Sequence, residues 1–152
     1  MSPQENTALV REQLENVTTG KIDAAVAAFA PGAINHGRPA DPEIIKLIFA
    51  DIHDALGEKF TLDEVIAVDD HVVIRATVNG THQGVVRSPV NGGLLMGVPP
   101  TGRSYTVQHI HIFRLAGSKV VEHWANRDDL AMMQQLGLVP EPAPFNGVLQ
   151  GR

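Results

Sequence analysis

Apolar residues in the first third of the chain recur at helical spacing. Over residues 4–18, Leu9, Val10, Leu14 and Val17 form one stripe, which Gly20 ends. Ile22 to Phe29 reads as a short Ala-rich helix stopped by Pro31 and Gly32, and Ala33 to Gly37 as a short extended piece. Asp41-Pro42-Glu43 starts a third helix: Asp41 caps it, and Pro42 in the first turn gives up no donor the helix needs. Ile44, Ile48 and Ile52 lie four apart on it, Ile45 and Leu56 widen the face, and Gly57 terminates it.

After Gly57 the period changes to two. Phe60 to Val68 is a strand, Asp69-Asp70 a turn, and His71 to His82 alternates, with Val72, Ile74, Ala76, Val78 and His82 on one face. Residues 84–104 are rich in Gly, Pro and Ser, a connection long enough to be functional. Tyr105 to Leu115 and Lys119 to Asn126 form a last hairpin around Ala116-Gly117-Ser118. Asp128 and Asp129 begin a closing helix with Leu130, Met133 and Leu136, and residues 139–152 form an extended Pro-rich tail. Helices followed by a meander of strands predict a single α+β domain over residues 1–152, with helices on one face of an antiparallel sheet.

Composition narrows the chemistry. The chain has 152 residues, no cysteine and a formal charge of −5, with its basic residues scattered. This excludes disulfides and thiolate chemistry and argues against a nucleic-acid partner. Its beginning has no secretory pattern, and no apolar run approaches the ~20 residues of a membrane helix. A cytoplasmic protein without a membrane partner is expected. GxGxxG, phosphate-loop and GxSxG patterns are missing, so nucleotide cofactors and serine-hydrolase chemistry are not expected.

The histidines are the chemical lead. Alternation puts His109 and His111 on one face with Tyr105, Val107 and Phe113, opposite Thr106, Gln108, Ile110, Ile112 and Arg114. In the next strand His123 shares a face with Val121 and Ala125, while Glu122, Trp124 and Asn126 share the other. On adjacent strands His111 and His123 approach each other, and His82 joins from the neighbouring strand. Imidazoles titrate near working pH, at ~6.5, and suit proton transfer. Each residue also has a plainer reading: a lone strand histidine as core, Asp128 as a helix cap, Trp124 as packing, His53 and His71 as surface. A three-histidine zinc or iron site is the metal alternative, but HExxH and His-x-Asp/Glu spacings are lacking, so no metal is expected.

INHG at 34–37, GTHQG at 80–84, GVPPTGR at 97–103, HIFRL at 111–115, KVVEHW at 119–124 and QQLG at 134–137 occur in that order. Together they resemble the SnoaL-like polyketide cyclases, or ester cyclases, of the nuclear-transport-factor-2-like superfamily. The resemblance implies a cone-shaped α+β barrel, its curved antiparallel sheet wrapped by N-terminal helices around an apolar pocket, in a homodimer or homotetramer. It implies intramolecular aldol closure of a polyketide ester, with no cofactor. Carried onto this chain, the family's early asparagine is Asn35, and its strand histidines are His111 and His123. The family's catalytic aspartate, two residues after the last histidine, falls on Ala125. The expected site therefore has His111, His123 and Asp128 in proton transfer. Asn35, His36, His82, Tyr105, His109, Phe113 and Trp124 would contact the substrate, and the 84–103 loop would cover the mouth. Ala125 also motivates an alternative: a non-catalytic binder of an apolar small molecule on the same fold.

Overall fold

The computed structural model describes residues 1–143. Helix α1 (Pro3–Thr18) starts at a capping box, in which the Ser2 side chain accepts from Glu5 N and Glu5 returns a bond to Ser2 N. Its Val10, Leu14 and Val17 are buried, the stripe expected from their spacing. Helix α2 (Ile22–Ala27) stops earlier than its alanine content predicts, because Phe29 already begins strand β1 (Phe29–Asn35). Asp41 caps α3 (Pro42–Asp54) through Glu43 N at 2.9 Å. The residues buried along α3 are Ile45, Phe49 and Ile52; Ile44 is exposed and Ile48 half-buried, and all five border a cavity.

Six strands form one curved sheet in the order β2-β1-β6-β5-β4-β3. They are β1, β2 (Arg38–Pro39), β3 (Lys59–Val68), β4 (His71–Thr81), β5 (Ser104–Ala116) and β6 (Lys119–Arg127). All neighbours pair antiparallel except β1 and β6, which run parallel. Two tight turns matter for the site. His36 and Gly37, both with positive φ, join β1 to β2, and Gly117 and Ser118 join β5 to β6 in the same way. Paired positive φ values match the right-handed twist of the flanking strands. Helix α4 (Asp129–Gln135) closes the described fold. Residues 139–143 have neither helix nor strand, and the rest of the expected tail lies outside the described residues.

The inner face of β4 is apolar as alternation requires, with Val72, Ile74, Ala76 and Val78 fully buried. One register differs. A bulge between Arg114 and Leu115 places Val120, not Val121, in the core beside His123. The long 84–103 connection is packed inward. Val86, Ser88, Val90, Asn91 and Leu95 are buried, around a 3-10 turn at Val90–Gly93. One carboxylate clasps it to α3: Asp51 Oδ2 accepts from Arg87 N at 3.0 Å, Ser88 N at 2.9 Å and Ser88 Oγ at 2.6 Å. No helix among the described residues is long and apolar enough to cross a membrane.

Replacing Asp51 by alanine orphans two backbone N–H groups and a hydroxyl, each bond being worth about 1 kcal/mol and more when the acceptor is charged. The expected outcome is a lower melting temperature, with faster hydrogen exchange concentrated in residues 84–97. Unchanged exchange there would show that the loop is held by its apolar contacts alone.

Candidate active site

Period-two alternation along β5 sends His109, His111 and Phe113 to the concave side of the sheet, where all three are buried. The antiparallel register sets Phe113 opposite His123 and His111 opposite Ala125. On the far side of β6, the parallel pairing brings Asn35 level with His123. These alignments create one hydrogen-bonded row. His123 Nδ1 lies 2.8 Å from Asn35 Oδ1, His111 Nδ1 lies 2.9 Å from His123 Nε2, and His109 Nδ1 lies 3.3 Å from His111 Nε2.

The row dictates its own tautomers. Asn35 Oδ1 only accepts, so His123 donates from Nδ1 and its Nε2 carries a lone pair. His111 must then donate from Nδ1, and His109 likewise, which leaves His109 Nε2 as a lone pair that is buried and without a partner. The rings also pack on Phe113, whose centroid is 4.8 Å from His123 and 6.0 Å from His111.

Electrostatics keep the row neutral. Burial pushes His109 and His123 down to about 3, and the positive charge of Arg127 adds to this in both. His111 is held well below the ordinary imidazole value, first by burial and then by its histidine neighbours and Arg127. At the turn after β1, His36 has positive φ and its N–H donates to His123 O at 3.0 Å. Its ring stands edge-on to that of His123, with centroids 5.7 Å apart, and burial and Arg127 lower its proton affinity too.

Asn35, His36, His109, His111, Phe113 and His123 all line a cavity of about 610 Å3, within the ordinary range for small-molecule sites. Its apolar wall comes from α1, α3 and the strand starts: Leu14, Ile45, Ile48, Phe49, Phe29 and Phe60. Pro89, Val90, Asn91 and Gly92 of the long loop complete it.

Four expected site residues are elsewhere. Asp128 is exposed and its carboxylate caps α4, accepting from Ala131 N at 3.1 Å; it does not line the cavity. His82 is buried just beyond β4, where its Nδ1 accepts from Thr101 N, and does not join the row, because β4 ends one residue before it. Tyr105 lies behind the cavity, its hydroxyl donating to Glu58 Oε1 at 2.9 Å. Trp124, 44% exposed, is on the convex face with its indole N–H on Glu122, since alternation opposes it to His123.

The cavity wall also holds polar residues not anticipated from the sequence: Gln13, Arg38, Glu58, Asn91 and Arg127. Arg127 was within reach of the alternation rule, since 123, 125 and 127 share a face. Its guanidinium makes no hydrogen bond or ion pair with a described residue, and it pairs across the strands with His109. Glu58 gives no sequence signal, because a lone acid after a helix-ending glycine reads as solvated. It is only 2% exposed, and burial raises it to about 7 despite the Tyr105 hydrogen bond and the Arg127 charge. Gly80 makes the Tyr105 contact possible: a Cβ there would collide with the phenolic oxygen.

The family model for SnoaL-like polyketide cyclases matches residues 8–136. The chain belongs to the SnoaL-like polyketide cyclase family. Among curated relatives, it is 32% identical to the aklanonic acid methyl ester cyclase DauD of Streptomyces sp. (strain C5), over 95% of this chain and 87% of that one. It is 31% identical to the aklanonic acid methyl ester cyclase DnrD of Streptomyces peucetius, over 90% and 92%. Among solved structures, AclR from Streptomyces galilaeus superposes with a TM-score of 0.76 at 23% identity, covering 93% of this chain and 86% of that one. TsrD from Streptomyces laurentii gives 0.76 at 20% identity, covering 91% and 99%. These likenesses establish the SnoaL-like fold.

The neutral row has a thermodynamic signature. Unfolded imidazoles take up protons near pH 6.5, whereas folded His109 and His123 stay neutral down to about 3 and folded His111 is held well below the ordinary imidazole value. Between those values the unfolded chain binds more protons, so stability falls as pH drops through that window. Glu58, with its raised folded value of about 7, acts in the opposite sense between pH 4.5 and 7, as does the raised Asp129, but these two are outnumbered by the three row imidazoles together with the lowered His36 and His82. Urea denaturation at pH 7, 6 and 5 is expected to give steadily lower unfolding free energies. A flat profile would mean that the rings are not buried as neutral groups.

Proposed function

We propose that this chain is a cytoplasmic cyclase, working as a homodimer or homotetramer, that closes a ring of a hydrophobic polyketide ester by an intramolecular aldol reaction without metal or organic cofactor. The observation carrying this reading is the row Asn35–His123–His111–His109 set into the wall of an apolar cavity. The curated relatives bear the name aklanonic acid methyl ester cyclase, so that ester is the first substrate to assay.

The row fixes the orientation and tautomer of each ring it contains. An Asn amide offers both an acceptor and a donor, so turning it over reverses every hydrogen bond in the row. His111 acts here through its neighbours, because both of its nitrogens are engaged with other rings. Asn35, His36 and His123 form the polar end of the cavity, suited to hold a substrate carbonyl oxygen. Phe29, Phe49 and Phe60 suit flat aromatic rings. The homo-oligomer has a candidate surface in the convex sheet face, where Ile66, Ile110, Ile112 and Trp124 are exposed.

Ala125 supports one competing reading, a carrier that holds the same polyketide unchanged. Incubating the purified protein with aklanonic acid methyl ester and a chelator separates the two. The cyclase reading expects an isomeric, ring-closed product of unchanged mass; tight binding without conversion favours the carrier. His111→Phe keeps the stack on Phe113 and cuts the row in two places. It is expected to lower turnover by roughly 10²-fold, as misplacing substrate-positioning groups does, because His123 and Asn35 lose their alignment. Wild-type turnover in that variant would remove the row from the mechanism.

A further inference from the structure

We propose that Glu58 is the acid/base carboxyl of this cavity, taking over the work of the aspartate that Ala125 replaces, and that Arg127 receives the enolate oxygen. The inference rests on the ring-closure reading above.

Aldol closure begins by removing a proton from carbon, and the histidine row is poorly built for that. Its nitrogens are bonded to one another, and the one unpaired lone pair, on His109 Nε2, is sealed from the cavity. Two carboxyls line the cavity among the described residues, those of Asp41 and Glu58. Asp41 is exposed and spends Oδ1 on the cap of α3. Glu58 is differently placed. Gly57, with φ of 52°, turns the chain out of α3, and the Glu58 N–H is fixed on Ile52 O at 3.0 Å. Tyr105 holds Oε1 from behind at 2.9 Å. The other oxygen, Oε2, makes no hydrogen bond with a described residue, in a side chain that lines the cavity.

Arg127 stands in the same wall. It is near enough for its charge to act on Glu58, yet the two form no ion pair. A carboxyl and a cation that line one cavity without closing an ion pair each stay available to a polar group of the substrate, whereas a closed salt bridge would cancel both. The charged and titratable groups facing Glu58 are Tyr105 from β5, Arg127 from β6 and Asp129 from α4. Asp129 is itself tied to Asn91 Nδ2 at 3.2 Å. The resulting proton affinity, near neutrality, lets one carboxyl both take a proton and return it.

The step balances without a co-reactant. Glu58 Oε2 takes the proton from a carbon activated by its carbonyl neighbours, and the C–H electron pair becomes the enolate, its oxygen on Arg127. The enolate carbon attacks a ketone within the same molecule, forming the C–C bond while the C=O π pair becomes an alkoxide. The alkoxide recovers the proton from Glu58. The substrate class is accordingly a polyketide with an acidic C–H between carbonyl groups, such as a β-keto ester.

Glu58→Gln tests this, because the amide oxygen still accepts from Tyr105 while the base is gone. With aklanonic acid methyl ester, turnover is expected to fall about 10²- to 10⁴-fold, with KM and melting temperature near wild type. The wild-type rate is expected to rise with pH through a limb near 7, absent from E58Q. Tyr105→Phe removes a hydrogen bond that favours the carboxylate, so its limb is expected at higher pH. Should E58Q fail to fold, Glu58→Asp serves: a reduced rate with the limb retained supports the assignment. Wild-type turnover in E58Q, or a limb that does not move in Y105F, overturns the assignment and leaves the ring-closure reading standing. A wild-type protein that does not convert the ester overturns both.

Discussion

Three imidazoles are buried in the wall of an apolar cavity with no carboxylate among them, and this constraint governs the rest of the site. A buried charge without a partner costs far more than a buried neutral ring, so the rings stay neutral. A buried N–H without an acceptor is also costly, so each ring must pass its hydrogen to the next. The series has to end on a group that accepts without being charged. Asn35 is that group, and its position depends on the parallel pairing of β1 with β6. The short first strand and its tight turn at His36-Gly37 thus orient the hydrogen bonds of a sheet formed much later in the chain.

Ala125 takes on meaning in this setting. It lies directly opposite His111, where a carboxylate would form an ion pair with the row and raise its proton affinity. The methyl group keeps the row uncharged, and the ionisable groups stand in other parts of the wall, with Glu58 between α3 and β3 and Arg127 at the end of β6. Separating neutral hydrogen bonding from proton exchange lets each have the environment it needs: dry for the rings, partly charged for the carboxyl.

Much of the fold was legible in the sequence because its signals are local. The α1 stripe, the Asp41-Pro42 start of α3 and the strict alternation of β4 and β5 each follow from spacing within one element. The same alternation put His109, His111 and Phe113 on one face. What escaped depends on contacts between distant segments. The bulge near Leu115 moves Val120 into the core, and no feature of Lys119 to Asn126 announces it. His82 continues the β4 alternation but sits past the last paired residue, held by Thr101. Glu58 is invisible without Tyr105, a residue 47 positions away. Asp128 followed its plainer reading as a helix cap, and Trp124 followed the alternation that sets it opposite His123, because local signals were sufficient for both.

The close approach at Gly80 reaches beyond packing. A side chain at that position would displace the Tyr105 hydroxyl, and with it the one hydrogen bond that steadies the Glu58 carboxylate. The acidity of the reactive carboxyl is therefore set two layers away, by a residue that meets neither solvent nor ligand. Retuning this protein for more alkaline surroundings would begin at that glycine.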